Sequence, residues 1–303
     1  MQVPQYLQKG DTVLLVAPAR NVNQGDLREF EAWINGQGWI LEFAPNLFSV
    51  DNQFAGTDDQ RANDLIWALS HPTAKAIFTA RGGYGSVRTL EAMKKKLGDL
   101  DCWLQTQHPK WFVGFSDVTT IHLWLQKNNW VSIHGPVATQ WSLQHESSEK
   151  NQLQLANVLN GNPLLFDIDQ VNVYRPANFN GELIGGNLSL LYAALGTDLQ
   201  PVTDGKVLLI EDLDEYLYHV DRMLMACKNA GLFNNIQALL VGSMIDMNDN
   251  AVPFGKTVKE MILDLLGEAN FPVVFDVPMG HDKQNYAVKL GAVCNFDNST
   301  LTQ

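Results

Sequence analysis

WFVGFSDVTTIHLWL, Trp111 to Leu125, sets a strand pattern directly before a helix pattern. An apolar run ends at Gly114, Ser116 falls on the turn, and helical spacing begins after Asp117. This layout lifts one hydroxyl to the carboxyl edge of a buried strand and aims a helix N-terminus at it. Acyl transfer needs that geometry: an exposed nucleophile, backbone N–H groups for the oxyanion, and a dipole that favours negative charge. The same residues have a second reading. Ser and Asp are favoured N-caps, so Ser116 or Asp117 can simply cap the helix Val118–Lys127. The turn is also looser than G-x-S-x-G, because Val118 stands where that motif has its second glycine.

A serine hydroxyl is inert without a base, and two later segments offer one. KVLLIEDLDE puts Glu211 directly after the apolar Leu208-Leu209-Ile210, where a strand-end carboxylate can orient an imidazole. DVPMGHDKQN puts His281 in a polar loop just past another apolar run. Ser, Glu and His at separate strand ends can converge along one sheet edge. The competing reading of Glu211, Asp212, Asp214 and Glu215 is a solvated acidic loop. Among the other six histidines, His71, His108 and His145 neighbour proline or polar loops and read as surface residues. His122 and His134 read as core or helix-face residues, and His219 starts a helix. No H-E-x-x-H and no His/Cys zinc spacing occurs, so no metal is expected.

Arg81-Gly82-Gly83-Tyr84-Gly85-Ser86 lies between a strand and a helix. It lacks both G-x-x-x-x-G-K and G-x-G-x-x-G in register, so a phosphate loop is disfavoured. It can offer a backbone N–H to an oxyanion, with Arg81 free for a substrate carboxylate, or it can be a plain tight turn. Gly185-Gly186-Asn187 opens a helix on a natural cap, Asn187.

The surrounding pattern is repeated strand–helix units. Thr12–Ala17, Trp39–Phe43, Ala74–Thr79 and Lys110–Val113 read as strands; Asp26–Asn35 and Asp58–Ser70 read as helices. Val207–Ile210, Ala238–Val241 and Val273–Phe275 continue the strands, with helices Val220–Ala230 and Val258–Gly267. Continuous apolar strands alternating with amphipathic helices predict a parallel sheet covered on both faces. Gly161-Asn162-Pro163 and Arg175-Pro176 break the pattern in between. The expected organisation is an N-terminal domain over residues 1–140, a linker over 141–180 holding a helix near Lys150–Leu159, and a C-terminal domain over 181–303.

Composition limits the class of function. The 303 residues are 46% hydrophobic and 18% charged with a net charge of −12, an ordinary globular balance that argues against nucleic-acid binding. Lys94-Lys95-Lys96 reads as a solvated helix face. Cys102, Cys227 and Cys294 form no C-x-x-C, which fits a reducing compartment and small core residues. MQVPQYLQKGD lacks a charged n-region followed by an apolar core, and Val13–Ala17 is too short for a signal core or a membrane span, so a cytoplasmic location is expected.

Taken in order, VAPA, RGGYG, GFSDVT, HGPV, GELIGGNLSLL, IED…DRML and GH…N…LG make the chain resemble the LD-carboxypeptidase family of serine peptidases over nearly its whole length. That family includes muropeptide carboxypeptidases and microcin self-immunity peptidases. The resemblance implies Ser116 as nucleophile, His281 as general base and Glu211 as the residue orienting it, with the N–H groups of Asp117 and Gly83 as oxyanion hole. It implies a flavodoxin-like N-terminal domain, a smaller α/β C-terminal domain, a homodimer and no cofactor. It also implies a substrate: the murein tetrapeptide of a bacterial cytoplasm, losing terminal D-alanine during peptidoglycan recycling. The alternative within the family is a self-immunity peptidase acting on a toxic peptide–nucleotide conjugate; outside it, a non-catalytic anion-binding module. Two positions depart from the family pattern, each losing the φ-fixing ring of proline. Leu217 replaces the proline of a Pro-Tyr pair, and Lys289 replaces one before Leu-Gly.

Overall fold

Four apolar runs of the first half become strands buried by layers on both faces, and a fifth, Ile40–Phe43, forms the partly exposed edge. β1 (Thr12–Val16), β2 (Ile40–Phe43), β3 (Ala76–Thr79), β4 (Trp111–Gly114) and β5 (Ser132–His134) are parallel, in the order β2-β1-β3-β4-β5. That order is flavodoxin-like and gathers all strand carboxyl ends on one edge. The structure is a computed structural model and describes residues 1–142, 146–169, 172–175, 178–297 and 299–303. His145 and Pro176 lie outside the described residues.

Helices α1 (Arg28–Gln37), α2 (Asp58–Ser70), α3 (Ser86–Leu97), α4 (Leu100–Gln105) and α5 (Thr119–Lys127) join these strands. α2 starts on a capping box, in which Thr57 and Gln60 each satisfy the other's backbone N–H. α1 stops at Gly38, whose φ of +77° an L side chain rarely adopts. Lys94, Lys95 and Lys96 are exposed in the last turn of α3, as a solvated face requires. α5 differs from the rest. Thr119 to Gln126 are all buried, so it is wrapped on every side rather than amphipathic.

The stretch expected as a linker is built structure. α6 (Glu146–Leu159), β6 (Leu165–Asp167) and β7 (Val173–Tyr174) occupy it, and the two strands pair at opposite outer edges of a second sheet. The physical reason is an alternation hidden among polar neighbours: Leu164, Phe166 and Ile168 all point into the core. β8 (Phe179–Asn187), β9 (Val207–Leu213), β10 (Ala238–Ile245) and β11 (Val273–Val274) form the parallel centre of that sheet. α7 (Leu188–Ala194), α8 (Leu217–Asn229) and α9 (Val258–Leu266) bury their apolar faces with Leu208, Ile210 and Leu239 of this sheet. β12 (Val288–Leu290) leaves the second unit and pairs antiparallel with β5 of the first, after which β13 (Val293–Asp297) and β14 (Thr300–Thr302) complete the second sheet.

Both proline departures acquire a location. Leu217 is the first residue of α8, where proline is also well tolerated. Lys289 lies in strand β12 and not in a loop, opposite Ile133, and its N–H donates to Gln303 Oε1 at 2.7 Å. The two units share packing: Leu123 of α5 joins the core around α7 and α8, and Gln126 Nε2 donates to Leu183 O at 3.1 Å. Among the described residues, no helix is long and apolar enough to cross a membrane.

Candidate active site

Ser116 follows β4 with φ +67°, a left-handed conformation that costs a non-glycine residue about 1–2 kcal/mol. Two glycines let the surroundings impose it. A side chain at Gly114 would collide with Thr79 Oγ1 and would lie 2.8 Å from Val118 Cγ2. One at Gly82 would lie 3.0 Å from Ser116 Cβ and 3.2 Å from its Oγ. The chain therefore makes a sharp strand-to-helix turn, through a 3-10 turn Ser116–Val118 into α5, and leaves the hydroxyl at the carboxyl edge.

The capping alternative does not hold. Neither the 3-10 turn nor α5 has a side-chain N-cap bond. Asp117 turns away and accepts the Ser86 N–H at 2.7 Å, so it caps α3 instead. It is buried, and burial drives its pKa up against the opposing backbone N–H groups of Ser86 and Gly85. Through this one carboxyl the RGGYGS turn is fastened to the Ser116 turn. Gly83 has φ +103°, and any Cβ there would strike the aliphatic part of Arg20. Arg20 thus lies across Gly83, a contact that no pattern in either segment announces. Arg81 is exposed.

Glu211 lies on β9 with no exposure, opposite Asn187 of β8. Its Oε2 is 2.7 Å from His281 Nδ1. A buried carboxylate is an acceptor, so Nδ1 carries the proton and Nε2 is left with its lone pair. Space for the carboxylate again comes from glycines: a Cβ on Gly242 would be 3.0 Å from Glu211 Cβ, and one on Gly280 2.7 Å from Oε2. The His281 backbone is pinned as well. Its N–H donates to Ser243 Oγ at 2.7 Å, and the Gly280 N–H donates to Asn285 Oδ1 at 3.0 Å.

The structure brings Glu211 and His281 into direct contact. Phe115, the residue before Ser116, sets its ring 4.6 Å from the His281 ring at 50°. Among the hydrogen bonds of the described residues, His281's ring bonds run to Glu211 and none runs to Ser116.

Asp212 corrects the solvated-loop reading. It is buried, and burial first and the Glu211 charge second raise its pKa to about 6. It accepts from Asn187 Nδ2, Ser189 N and Leu213 N, all at 2.9 Å. Asn187 caps α7, its Oδ1 accepting the Leu190 N–H. Cys102 is exposed, unlike the core residue expected, while Cys227 and Cys294 are buried. Among the described residues, no three His, Cys, Asp or Glu side chains gather as a metal site. A cavity of about 500 Å³ opens beside His281 at the carboxyl ends of β10 and β11, lined by Ser243, Met244, Lys256, Phe275, Asp276 and Asp282.

Comparison with known proteins gives this geometry a context. Residues 13–135 match the profile of the LD-carboxypeptidase N-terminal domain, and residues 180–296 match that of the LD-carboxypeptidase C-terminal domain. A Bacillus subtilis protein named "Probable murein peptide carboxypeptidase" is 31% identical, over 99% of this chain and 92% of its own length. The murein tetrapeptide carboxypeptidase of Pseudomonas aeruginosa is 28% identical, over 95% of this chain and 94% of its own. The microcin C7 self-immunity protein MccF, in its wild-type apo state, has the same fold. Its TM-score is 0.87 at 18% identity, covering 100% of this chain and 98% of that one.

Proposed function

The chain belongs to the LD-carboxypeptidase family, and we propose that it is a serine carboxypeptidase releasing terminal D-alanine from murein tetrapeptide. The observation that carries the reading is the buried Glu211–His281 contact, with Phe115, the residue before the strained Ser116, against the His281 ring. The names of the Bacillus and Pseudomonas relatives support the substrate class.

In this reading His281 Nε2 takes the proton of Ser116 as Oγ attacks the carbonyl of the L-centre, and Glu211 stabilises the imidazolium that forms. The N–H groups of Asp117 and Gly83 receive the oxyanion; losing one such donor costs about 3–4 kcal/mol in comparable enzymes. His281 then protonates the departing amine of D-alanine. Water, deprotonated by the same imidazole, releases the acyl group and restores Ser116. Arg81, exposed at the rim, is the candidate for the free carboxylate that an exopeptidase must recognise. Action in a bacterial cytoplasm, on recycled peptide, and as a homodimer belong to the same proposal.

The test is mass spectrometry of free and nucleotide-linked tetrapeptide incubated with the protein, beside Ser116→Ala. Loss of one D-alanine with the wild type alone is expected. Equal loss with Ser116→Ala ends the serine mechanism. A second reading, cleavage of a peptide–nucleotide conjugate, is favoured by one feature. Tyr216 and Tyr218, both exposed with rings 5.7 Å apart, follow β9 and offer a face on which a base could stack. A conjugate cleaved while both tetrapeptides stay intact would select it.

A further inference from the structure

Seven buried side-chain atoms make no hydrogen bond to another group among the described residues, and four of them belong to His134, Asn285 and Glu211. They are both ring nitrogens of His134, Nδ2 of Asn285 and Oε1 of Glu211. All three residues are within 1% of complete burial. The three converge on one group, the His281 loop. Glu211 holds the His281 ring, and Asn285 holds the N–H of Gly280 beside it. His134 reaches it through ring contacts: its ring meets Phe115 edge-on at 5.7 Å, and Phe115 lies tilted 4.6 Å from His281. β12, three residues beyond Asn285, pairs Val288 with His134. Buried polar atoms are rarely left unbonded, and where protein groups do not serve them an internal water making about three hydrogen bonds does.

We propose that His134 and Asn285 are positioning residues for the reaction: they hold internal water behind His281, and that water completes the hydrogen bonding of the Glu211 carboxylate. The inference rests on the serine carboxypeptidase reading for its kinetic consequence, but not for its structural one. His134 suits the task because burial keeps its ring neutral, so it offers one donor and one acceptor. The titratable groups around His281 are Glu211 from β9, bonded to its ring, His134 from β5, which lies on the other side of Phe115, and Asp282 from its own loop. His122 of α5 acts on His134 from behind, itself bonded to Ser132 Oγ and Gly114 O. Asp212 is turned to Asn187 and Ser189 and cannot replace the water.

A carboxylate stripped of donors is more basic, so the Glu211–His281 pair then takes up its proton at higher pH. The acid limb of kcat/KM for tetrapeptide should therefore move up by at least half a pH unit in His134→Phe, a threefold or greater loss at a fixed pH on that limb. His134→Gln, whose amide can still bind water, should recover at least half of the shift. A merely structural role would lower activity uniformly and leave the limb in place, and either that result or equal shifts in both variants overturns the proposal. Should the variants fail to fold, a high-resolution crystal structure of the wild-type protein decides. Ordered water within hydrogen-bond reach of His134 and Asn285 Nδ2 and linked to Glu211 Oε1 is expected; a dry, closed contact overturns it. A wild type inactive on tetrapeptide would unseat the serine carboxypeptidase reading, while the crystallographic result would still decide this one.

Discussion

The two sheets hold their reactive groups by opposite means. At the Ser116 turn, control is exerted through the backbone: a positive φ, Gly114 and Gly82 as clearances, and Asp117 as a clamp on the neighbouring turn. At Glu211 and His281, it is exerted through side chains: a buried carboxylate, a 2.7 Å bond to the imidazole, and Ser243 and Asn285 on the loop backbone. The first arrangement is sensitive to added volume and the second to lost charge. A nucleophile needs only to be in the right place, whereas a base must also have the right affinity for a proton.

The largest expected effect breaks both regions alike. Ser116→Ala or His281→Ala should each lower kcat/KM by at least about 10⁴-fold, and the double variant should be scarcely worse, because groups acting as a unit are non-additive. Steady-state kinetics on tetrapeptide measures this; multiplicative losses would mean the two sheets act separately. Glu211→Gln should follow with a loss on the order of 10³-fold or more, since the neutral amide no longer fixes the tautomer or stabilises the imidazolium.

Volume distinguishes the regions next. Gly114→Ala should destabilise by about 1–3 kcal/mol through overpacking against Thr79 and Val118, read as a lower urea midpoint at unchanged m-value. An unchanged midpoint would show that the turn can relax, and that its strain is not imposed by close packing.

The charge side of the comparison is sharpened by acid. His122 and His134 are buried, and burial lowers their pKa values to about 4 and about 3, so the folded protein keeps both neutral while the unfolded chain protonates them below about 6.5. Asp212 acts in the other direction: with its folded pKa raised to about 6, it binds a proton between pH 4 and 6 that the unfolded chain does not. From these three groups the unfolded state binds about one proton more, so stability should fall by about 1.4 kcal/mol per pH unit from pH 6 to pH 4. Asp212→Asn removes the offset and should steepen the fall toward twice that, measured by urea denaturation across pH. The same slope in both proteins would place Asp212 outside this balance. The smallest effect expected is that of Arg81→Ala, a several-fold rise in KM with kcat nearly unchanged, as for a charge that only helps to seat the substrate.

Legibility followed the same division. Strand ends were readable at Ser116 and Glu211 because long apolar runs stop there, and the parallel order follows from strands alternating with helices. Contacts across the sheet edge were not. That Asp117 caps α3 rather than its own helix depends on two turns meeting in space, which spacing along the chain does not encode. Asp212 sits in an acidic run whose composition says solvent, yet the helix start at Asn187 and Ser189 draws it inside. The alternation Leu164, Phe166, Ile168 was present but spans too few residues to stand out beside Gly161-Asn162-Pro163. Arg20 over Gly83 leaves no signature, since nothing in either segment names the other.

One feature of the connectivity ties the regions together. The segment bearing His281 emerges from β11 in one sheet and is anchored by β12 in the other. It is a strap sewn at both ends, so the two units cannot slide past each other without tugging on the imidazole. A single peptide-bond cut near Lys283 would leave every strand of both sheets in place and still let the strap go slack. Fine alignment of the base is thus a property of chain continuity as much as of local bonding.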